Sequence, residues 1–268
     1  MLRVVTLNIW NLDGPWAERR LEIVAWIDRL NPDVVLLQEV MEHGDGRNQA
    51  AWIAEHAAGE WSMAYGGAGE IGVGRFGNAV LSRSPIDATS VLDLPYEPRD
   101  DDIQRVVVHA RTGGHDVFCT HLNWRFDDGY VRERQVVALA DFVRDVADPA
   151  GALPPIVGGD FNADPDAEEI RYLCGLVAID GRSAYFQDAW RVASAGTGAG
   201  PGWTWDNRNV FAAADREPDR RIDYVFVGWR PSPKGPGRVE SARVVCDRAL
   251  TGVFASDHFG LFVEIAEE

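Results

Sequence analysis

Short apolar runs rich in Val, Ile and Phe alternate along the chain with longer amphipathic stretches, the pattern of sheets covered by helices. The runs predict strands at Arg3–Leu7, Val34–Gln38, Asn78–Ser82, Arg105–Ala110, Asp116–Thr120, Ile156–Gly159, Tyr224–Val227, Arg243–Cys246 and Gly260–Ile265. Two helices stand out. Glu18–Leu30 places Leu21, Val24, Ala25, Ile27 and Leu30 mostly on one face and stops at Asn31-Pro32, and Val131–Val146 gathers Val136, Leu139, Ala140 and Val143. The small-residue stretch from Ala193 to Gly202 lies too near the C-terminus to divide the chain evenly and reads as a surface loop. The expectation is an α/β fold in one domain spanning residues 1–268.

The pattern also echoes itself. Thr6-Leu7-Asn8, a helix and the strand ending at Glu39 are matched later by Cys119-Thr120-His121, a helix and the strand ending at Asp160. Each half reads strand, polar residue, helix, strand, carboxylate. Such groups lie past the carboxyl ends of strands, where α/β folds commonly bind ligands. Alternation of strand and helix repeats in any α/β protein, so the side-chain chemistry has to decide.

Charge changes the picture of partners. The formal net charge is −16, whereas a protein that grips a duplex usually presents a basic face. Long duplex nucleic acid is therefore disfavoured, although a local strip of Arg208, Arg216, Arg220 and Arg221 could overrule the total. Carboxylates gathered around a cation would explain part of the acidic excess. Cys119, Cys174 and Cys246 are widely spaced without a CxxC pair, which suggests neither a disulfide framework nor a zinc ribbon. No apolar stretch approaches the ~20 residues that span a bilayer, and the N-terminus runs straight into a strand pattern without a signal-peptide core. A cytoplasmic monomer is the plain expectation.

Candidate chemistry sits at the strand ends. Leu36-Leu37-Gln38-Glu39 carries a carboxylate at the end of a strand apolar enough to be buried on both faces, where it is costly unless paired or bound to a metal. Gly158-Gly159-Asp160-Phe161-Asn162 projects an anionic oxygen and an amide two residues apart after glycines that let the backbone pass close to a ligand, a set suited to a hydrated hard cation and a phosphoryl oxygen. Ser256-Asp257-His258 and Arg221-Ile222-Asp223-Tyr224 pair a histidine with carboxylates that could fix its tautomer, either Asp223 or Asp257. His121, at the end of another strand, is placed to hydrogen-bond a substrate oxygen. Each cluster alone also fits an ordinary salt bridge, turn or surface pair.

In this order, Thr6-Leu7-Asn8, Leu37-Gln38-Glu39, Thr120-His121-Leu122, Gly159-Asp160-Phe161-Asn162, Arg221-Ile222-Asp223-Tyr224 and Ser256-Asp257-His258 resemble the endonuclease/exonuclease/phosphatase (DNase I-like) superfamily, over nearly the whole chain. The resemblance implies a four-layer α/β sandwich, two mixed β-sheets packed face to face with helices outside. It also implies a phosphoesterase using Mg²⁺ or Mn²⁺. Glu39 would be the principal metal ligand, with Asn8 and Asp257 as direct or water-mediated ligands. Asp160 and Asn162 would orient the attacking water and the phosphate. His258, held by Asp223, would act as general base or phosphate-binding group, and His121 would donate to a non-bridging oxygen. Asn78 and Arg105 are candidates for reaching the substrate, and an arginine in that place equally fits a structural role.

Departures limit the substrate. Trp10 stands where apurinic-site endonucleases carry Asp, and Cys246-Asp247-Arg248 only superficially resembles the Trp-Cys-Asp-Arg block of inositol polyphosphate 5-phosphatases. The segment Gly202-Trp203-Thr204-Trp205-Asp206 is similar to the Thr-Trp-Asp element of tyrosyl-DNA phosphodiesterase-like relatives and has cousins among bacterial sphingomyelinases, so Trp205 either meets a base or headgroup or packs a long loop. Nucleic acid, phospholipid and small phosphate ester all stay open as substrates. The alternative class is a catalytically silent member that binds a phosphorylated ligand or a protein partner.

Overall fold

Along the chain the elements run β1 (Leu2–Asn8), α1 (Trp16–Leu30), β2 (Val34–His43), α2 (Gln49–His56), β3 (Ser62–Ile71), β4 (Gly74–Ser82), β5 (Ile86–Asp93), β6 (Val106–Thr112), β7 (His115–His121), α3 (Gly129–Val146), β8 (Ile156–Asp160), α4 (Glu168–Leu173), β9 (Phe186–Asp188), α5 (Ala189–Ala193), α6 (Ala212–Asp215), β10 (Asp223–Gly228), β11 (Val239–Val245) and β12 (Gly260–Ile265). This computed structural model describes residues 1–72, 74–99, 103–229 and 235–268. The strands form two six-stranded sheets, ordered β11-β12-β1-β2-β4-β3 and β5-β6-β7-β8-β10-β9. Each sheet has one parallel pair, β1 with β2 and β7 with β8, among antiparallel neighbours.

Strand alternation dictates the layering. Val4, Val34 and Leu36 of the first sheet meet Val117, Cys119 and Ile156 of the second in a core between the sheets. Their sequence neighbours point outward: Val5, Leu7, Val35 and Leu37 pack with Ile23, Trp26 and Ile27 of α1, and Phe118 and Val157 pack with Val136, Leu139 and Val143 of α3. The result is helix, sheet, sheet, helix, the expected four-layer sandwich. No helix of the described residues is long and apolar enough to cross a membrane.

The unforeseen strands β3, β5 and β9 share one cause. All lie at sheet edges, where β5 is mostly solvent-facing, β9 has only three residues and β3 is glycine-rich. An edge strand needs no two-sided apolar run, so periodicity does not reveal it.

Helix α1 corrects the expected face. Leu21 is 53% exposed, and the buried positions are Arg19, Glu22, Ile23, Trp26 and Ile27. Two charged residues turn inward because the loops around them offer partners: the Glu22 carboxylate accepts the Thr251 backbone N–H and hydroxyl, both at 2.6 Å. Helix α3 presents the expected face.

Candidate active site

The β1–β2 and β7–β8 registers place Asn8 beside Gln38 and His121 beside Asp160, and β10 then sets Asp223 opposite Asp160. His258 and Asp257 sit just before β12, which runs antiparallel to β1. The polar ends of strands from both sheets therefore converge on one rim of the sandwich. The glycines before Asp160 serve strand packing rather than a ligand: a Cβ on Gly159, at φ +150°, would lie 1.9 Å from the Thr120 carbonyl oxygen.

Glu39 reaches this rim through an irregularity. The β2–β4 register shifts between Leu37 and Val40, and Glu39 adopts φ +59°, a left-handed conformation that costs a non-glycine residue about 1–2 kcal/mol. Amides hold its carboxylate. Asn8 Nδ2 donates to Oε1 at 3.1 Å and Asn11 Nδ2 to Oε2 at 3.0 Å. Asn8 Nδ2 also donates to Asp160 Oδ2 at 3.0 Å, and the Trp10 backbone N–H donates to Asn8 Oδ1 at 2.9 Å. A single amide thus couples the carboxylates of the two sheets.

The second grouping is a buried acid–histidine chain. His258 Nδ1 lies 2.9 Å from Asp223 Oδ2, while its Nε2 lies 3.8 Å from Asp160 Oδ2, the oxygen that also approaches His121 Nε2 at 3.4 Å. Of the two carboxylates open at the sequence level, Asp223 is the one that fixes the His258 ring. Asp223 is held in turn by Thr204, whose hydroxyl oxygen accepts the backbone N–H groups of Ile222 and Asp223. The Asn162 backbone N–H donates to Asp160 Oδ1 at 2.9 Å, and its side-chain amide donates to the Leu122 carbonyl. Trp205 is 6% exposed, with its ring edge-on to His258 at 5.1 Å.

Burial and mutual charge shift these groups in opposing directions. Burial and repulsion from Asp223 raise Asp160 to about 6, against the pull of His258 and the hydrogen bonds of Asn8 and Asn162. Asp257 is raised to about 7, mainly by burial and by Glu39. Burial opposes the His258 cation, yet Asp223, Asp160 and Asp257 together raise its proton affinity well above the ordinary value. Burial, Arg105 and His258 push His121 the other way and keep it neutral at physiological pH. One neutral and one charged imidazole thus flank the same carboxylate.

Two groupings could hold a metal. One ligand atom each from Asp160, Asp223 and His258 lie within 4.8 Å of one another, but His258 Nδ1 is already engaged by Asp223. Glu39 and Asp257, with Asn8 beside Glu39, form the alternative, in which Asn8 would turn its amide oxygen from the Trp10 N–H toward the ion. There, burial and the nearby Glu39 carboxylate lift Asp257 to about 7. That unrelieved negative charge fits a hard divalent cation.

Glu39, His121, Asp160, Asp257 and His258 line a cleft of about 560 Å³ that also includes Trp10, Asn11, Arg105, Asn162 and Trp124, while Asn8 and Asp223 contact this lining from behind. Arg105 precedes β6, is 4% exposed and lies over Phe76. Among the described residues Asn78 does not line this cleft: its Nδ2 donates to the Val106 carbonyl at 3.0 Å and ties β4 to β6 across the sheets. The expected basic strip is not assembled either. Arg220 and Arg221 are buried against Asp164 and Asp188, and Arg208 pairs with Asp206. A larger hollow, about 670 Å³ and lined by Tyr185 and Trp229, lies at the opposite ends of β8 and β10, away from this chemistry.

Sequence reasoning missed Arg19. It is fully buried, and its guanidinium donates to the carbonyls of Ile9, Trp10, Asn11, Asp13 and Ala255. It thereby sets the 9–13 loop, with Trp10 and Asn11 at positive φ, against the segment that leads to Asp257. Position 19 is four residues before Ile23, on the face of α1 that turns inward, so only the correct face would have pointed to it.

Two mixed sheets packed face to face with polar strand ends converging on one rim define the DNase I-like arrangement. Residues 5–258 match the Endonuclease/Exonuclease/phosphatase family, and the chain belongs to it. The uncharacterized protein YbhP of Escherichia coli K12 is 31% identical over 183 residues, 60% of this chain. The match spans 66% of that relative, just under two thirds of its length. The endonuclease/exonuclease/phosphatase of Beutenbergia cavernae is similar with a TM-score of 0.70 at 26% identity, covering 99% of this chain and 71% of that one. TDP2 of D. rerio complexed with single strand DNA product shares the fold at TM-score 0.72 and 18% identity, covering 98% and 97%.

Proposed function

We propose that the protein is a divalent-metal-dependent phosphoesterase that hydrolyses a phosphodiester or phosphomonoester by in-line attack of water. The observation that carries this reading is the meeting of Glu39, Asn8 and Asp257 with the Asp223–His258 pair around Asp160. Asn8, Glu39 and Asp257 would hold Mg²⁺ or Mn²⁺, which supplies charge stabilisation to the phosphoryl oxygens. Asp160, ionised at neutral pH with a pKa of about 6, orients the attacking water with Asn162 and accepts its proton. His258, kept cationic by its three carboxylates, binds a phosphoryl oxygen through Nε2, with Asp223 fixing the ring. His121, neutral, donates to a non-bridging oxygen, and Arg105 and Trp205 border the substrate in the same cleft. Charges already in place and aimed at developing charge are the main source of catalysis in phosphoryl transfer.

The shared core between the sheets supports residues 1–268 working as one catalytic unit. The three free buried cysteines suit a reducing compartment such as the cytoplasm, and a monomer suffices for a site whose groups all come from one chain. The test is metal-stimulated hydrolysis of bis(4-nitrophenyl) phosphate by the wild type and by Glu39→Ala, Asp160→Ala and His258→Ala. Each substitution is expected to lower kcat/KM by about 10²–10⁴-fold. Full activity in all three overturns the proposal.

A further inference from the structure

The cleft wall beyond the reacting groups is aromatic and acidic together, a combination that selects among phosphoesters. Trp124 is the most open of its described aromatic rings at 44% exposed, whereas Trp205 at 6% is committed to His258. Helix α3 braces the loop that carries it. The Asn123 backbone N–H donates to Gln135 Oε1 at 2.9 Å, and Arg132 Nη1 donates to the carbonyls of Asn123 and Arg125. The Arg125 guanidinium lies 5.6 Å from the indole centroid. Trp124 thus stands on a braced backbone with a ring that is 44% exposed and has Arg125 over it, an arrangement able to stack on a flat group.

The charges of the same wall are mostly acidic. Asp13, Asp215 and Glu217 line the cleft in addition to Glu39, Asp160 and Asp257. Its cations are His258, held among Asp223, Asp160 and Asp257, Arg105 and Arg220, and Arg220 is engaged by Asp164 at 2.9 Å, by the Asn162 carbonyl at 3.1 Å and by Glu217 at 3.8 Å. A cation at Glu39 and Asp257 would leave Asp13 and Asp215 uncompensated, with Glu217 sharing Arg220 with Asp164. Asp13 and Asp215 are exposed and meet an approaching ligand first.

Resting on the phosphoesterase reading, we infer that the site takes a small ester with a single phosphate group and a flat aromatic substituent stacked on Trp124, and that Asp13, Asp215 and Glu217 turn away oligonucleotides and polyphosphates. A groove built for a polyanion releases counterions and binds more weakly as salt rises. Here the sign reverses, because salt screens a repulsion.

The test measures binding of phenyl phosphate and ethyl phosphate by calorimetry in Mg²⁺, then of 5′-phosphorylated thymidine oligomers of increasing length. Phenyl phosphate is expected to bind about tenfold tighter than ethyl phosphate, the scale of one stacking contact. The ratio falls below about twofold in Trp124→Ala and recovers in Trp124→Phe. Oligomer affinity falls with each added phosphate and improves from about 0.05 to about 0.3 M NaCl, and Asp215→Asn with Glu217→Gln removes the length penalty. An unchanged ratio in Trp124→Ala, or oligomers that bind more tightly with length and more weakly with salt, overturns the inference. Parallel hydrolysis assays separate it from the parent reading. Binding through Trp124 without turnover of any ester supports the specificity and defeats the phosphoesterase, whereas turnover without a phenyl preference defeats the specificity alone.

Discussion

Replacing Arg19 tests whether a residue remote from substrate sets the geometry of the carboxylates proposed to hold the metal. Arg19→Met keeps the apolar stem and removes the donors. The carbonyls of Ile9 and Ala255, both buried acceptors of Arg19 Nη1 at 2.7 and 3.0 Å, are left unpaired at about 1–3 kcal/mol each. Carbonyls of the 10–13 loop are partly buried and can turn to water. Against this stands the desolvation of the guanidinium, which lowers its pKa from 12.5 to about 10 and is relieved by the substitution, worth roughly 3 kcal/mol. The balance runs from near zero to a loss of about 3 kcal/mol, or up to about 6 °C in Tm for a chain of this size.

Stability alone does not distinguish a positioning residue from a core residue, so the assay must read the metal. Asn11 lies in the loop that Arg19 holds, and its amide is one of two on the Glu39 carboxylate. Freeing one such residue costs about 1–2 kcal/mol of ordering on each binding event, which is about tenfold in affinity. Titration of Mn²⁺, followed by the electron paramagnetic resonance signal of the free ion, is expected to show an apparent Kd raised about tenfold in Arg19→Met. Arg19→Lys, with three donors, is expected to fall between the two. A variant that melts earlier but binds Mn²⁺ like the wild type refutes the argument and leaves Arg19 a packing residue.

Further outcomes follow from other parts of the molecule. Gly159→Ala sets a methyl group 1.9 Å from the Thr120 carbonyl, so a loss of more than about 3 kcal/mol is expected in chemical denaturation; a wild-type midpoint would contradict the close approach of β7 and β8. Saturating Mg²⁺ is expected to raise Tm by about 5 °C at a hundredfold excess over Kd, and Glu39→Gln to remove most of that gain; no metal response in the wild type would favour a silent member. Burial lowers the His115 pKa against the pull of Glu267, so below about 6.5 the unfolded chain takes up a proton that the folded one resists. Stability is full above that pH and declines as pH falls through it. His115→Gln should flatten the difference in Tm between about pH 7.5 and 5.5, and an identical slope would show that His115 does not contribute.

The central strands were legible because burial on both faces leaves few positions for a polar residue until the strand ends. Leu36 faces the second sheet and Leu37 faces the helices, so the run announces itself. The echo between the halves was legible for the same reason: each βαβ unit ends its buried strands in polar residues, and the parallel pairings of β1 with β2 and β7 with β8 bear out that repetition. The edge strands β3, β5 and β9 and the inward face of α1 were not legible, because both depend on what the rest of the chain supplies, whereas the edge strand β11 was read from its apolar end. A sequence pattern shows Arg19 and Glu22 as charges on a helix and says nothing of the carbonyls and backbone amides waiting for them.

The grouping of the site illustrates the same division on a finer scale. Linear order placed a carboxylate, an amide or a histidine at each strand end, and strand register then decides who meets whom. His121 falls beside Asp160, and Asp160 falls opposite Asp223, without any feature of the side chains themselves. Glu39 is different: it stands one residue beyond the register position paired with Asn8 and turns to the rim only through a bulge and a left-handed backbone. Asn78 errs in the opposite direction, a polar residue on a central strand whose amide nitrogen donates between the sheets. A buried polar residue in a strand is thus ambiguous between joining layers and serving the rim, and its distance from the strand end resolves the ambiguity. Asn8, His121 and Asp160 end their strands, while Asn78 lies well inside β4.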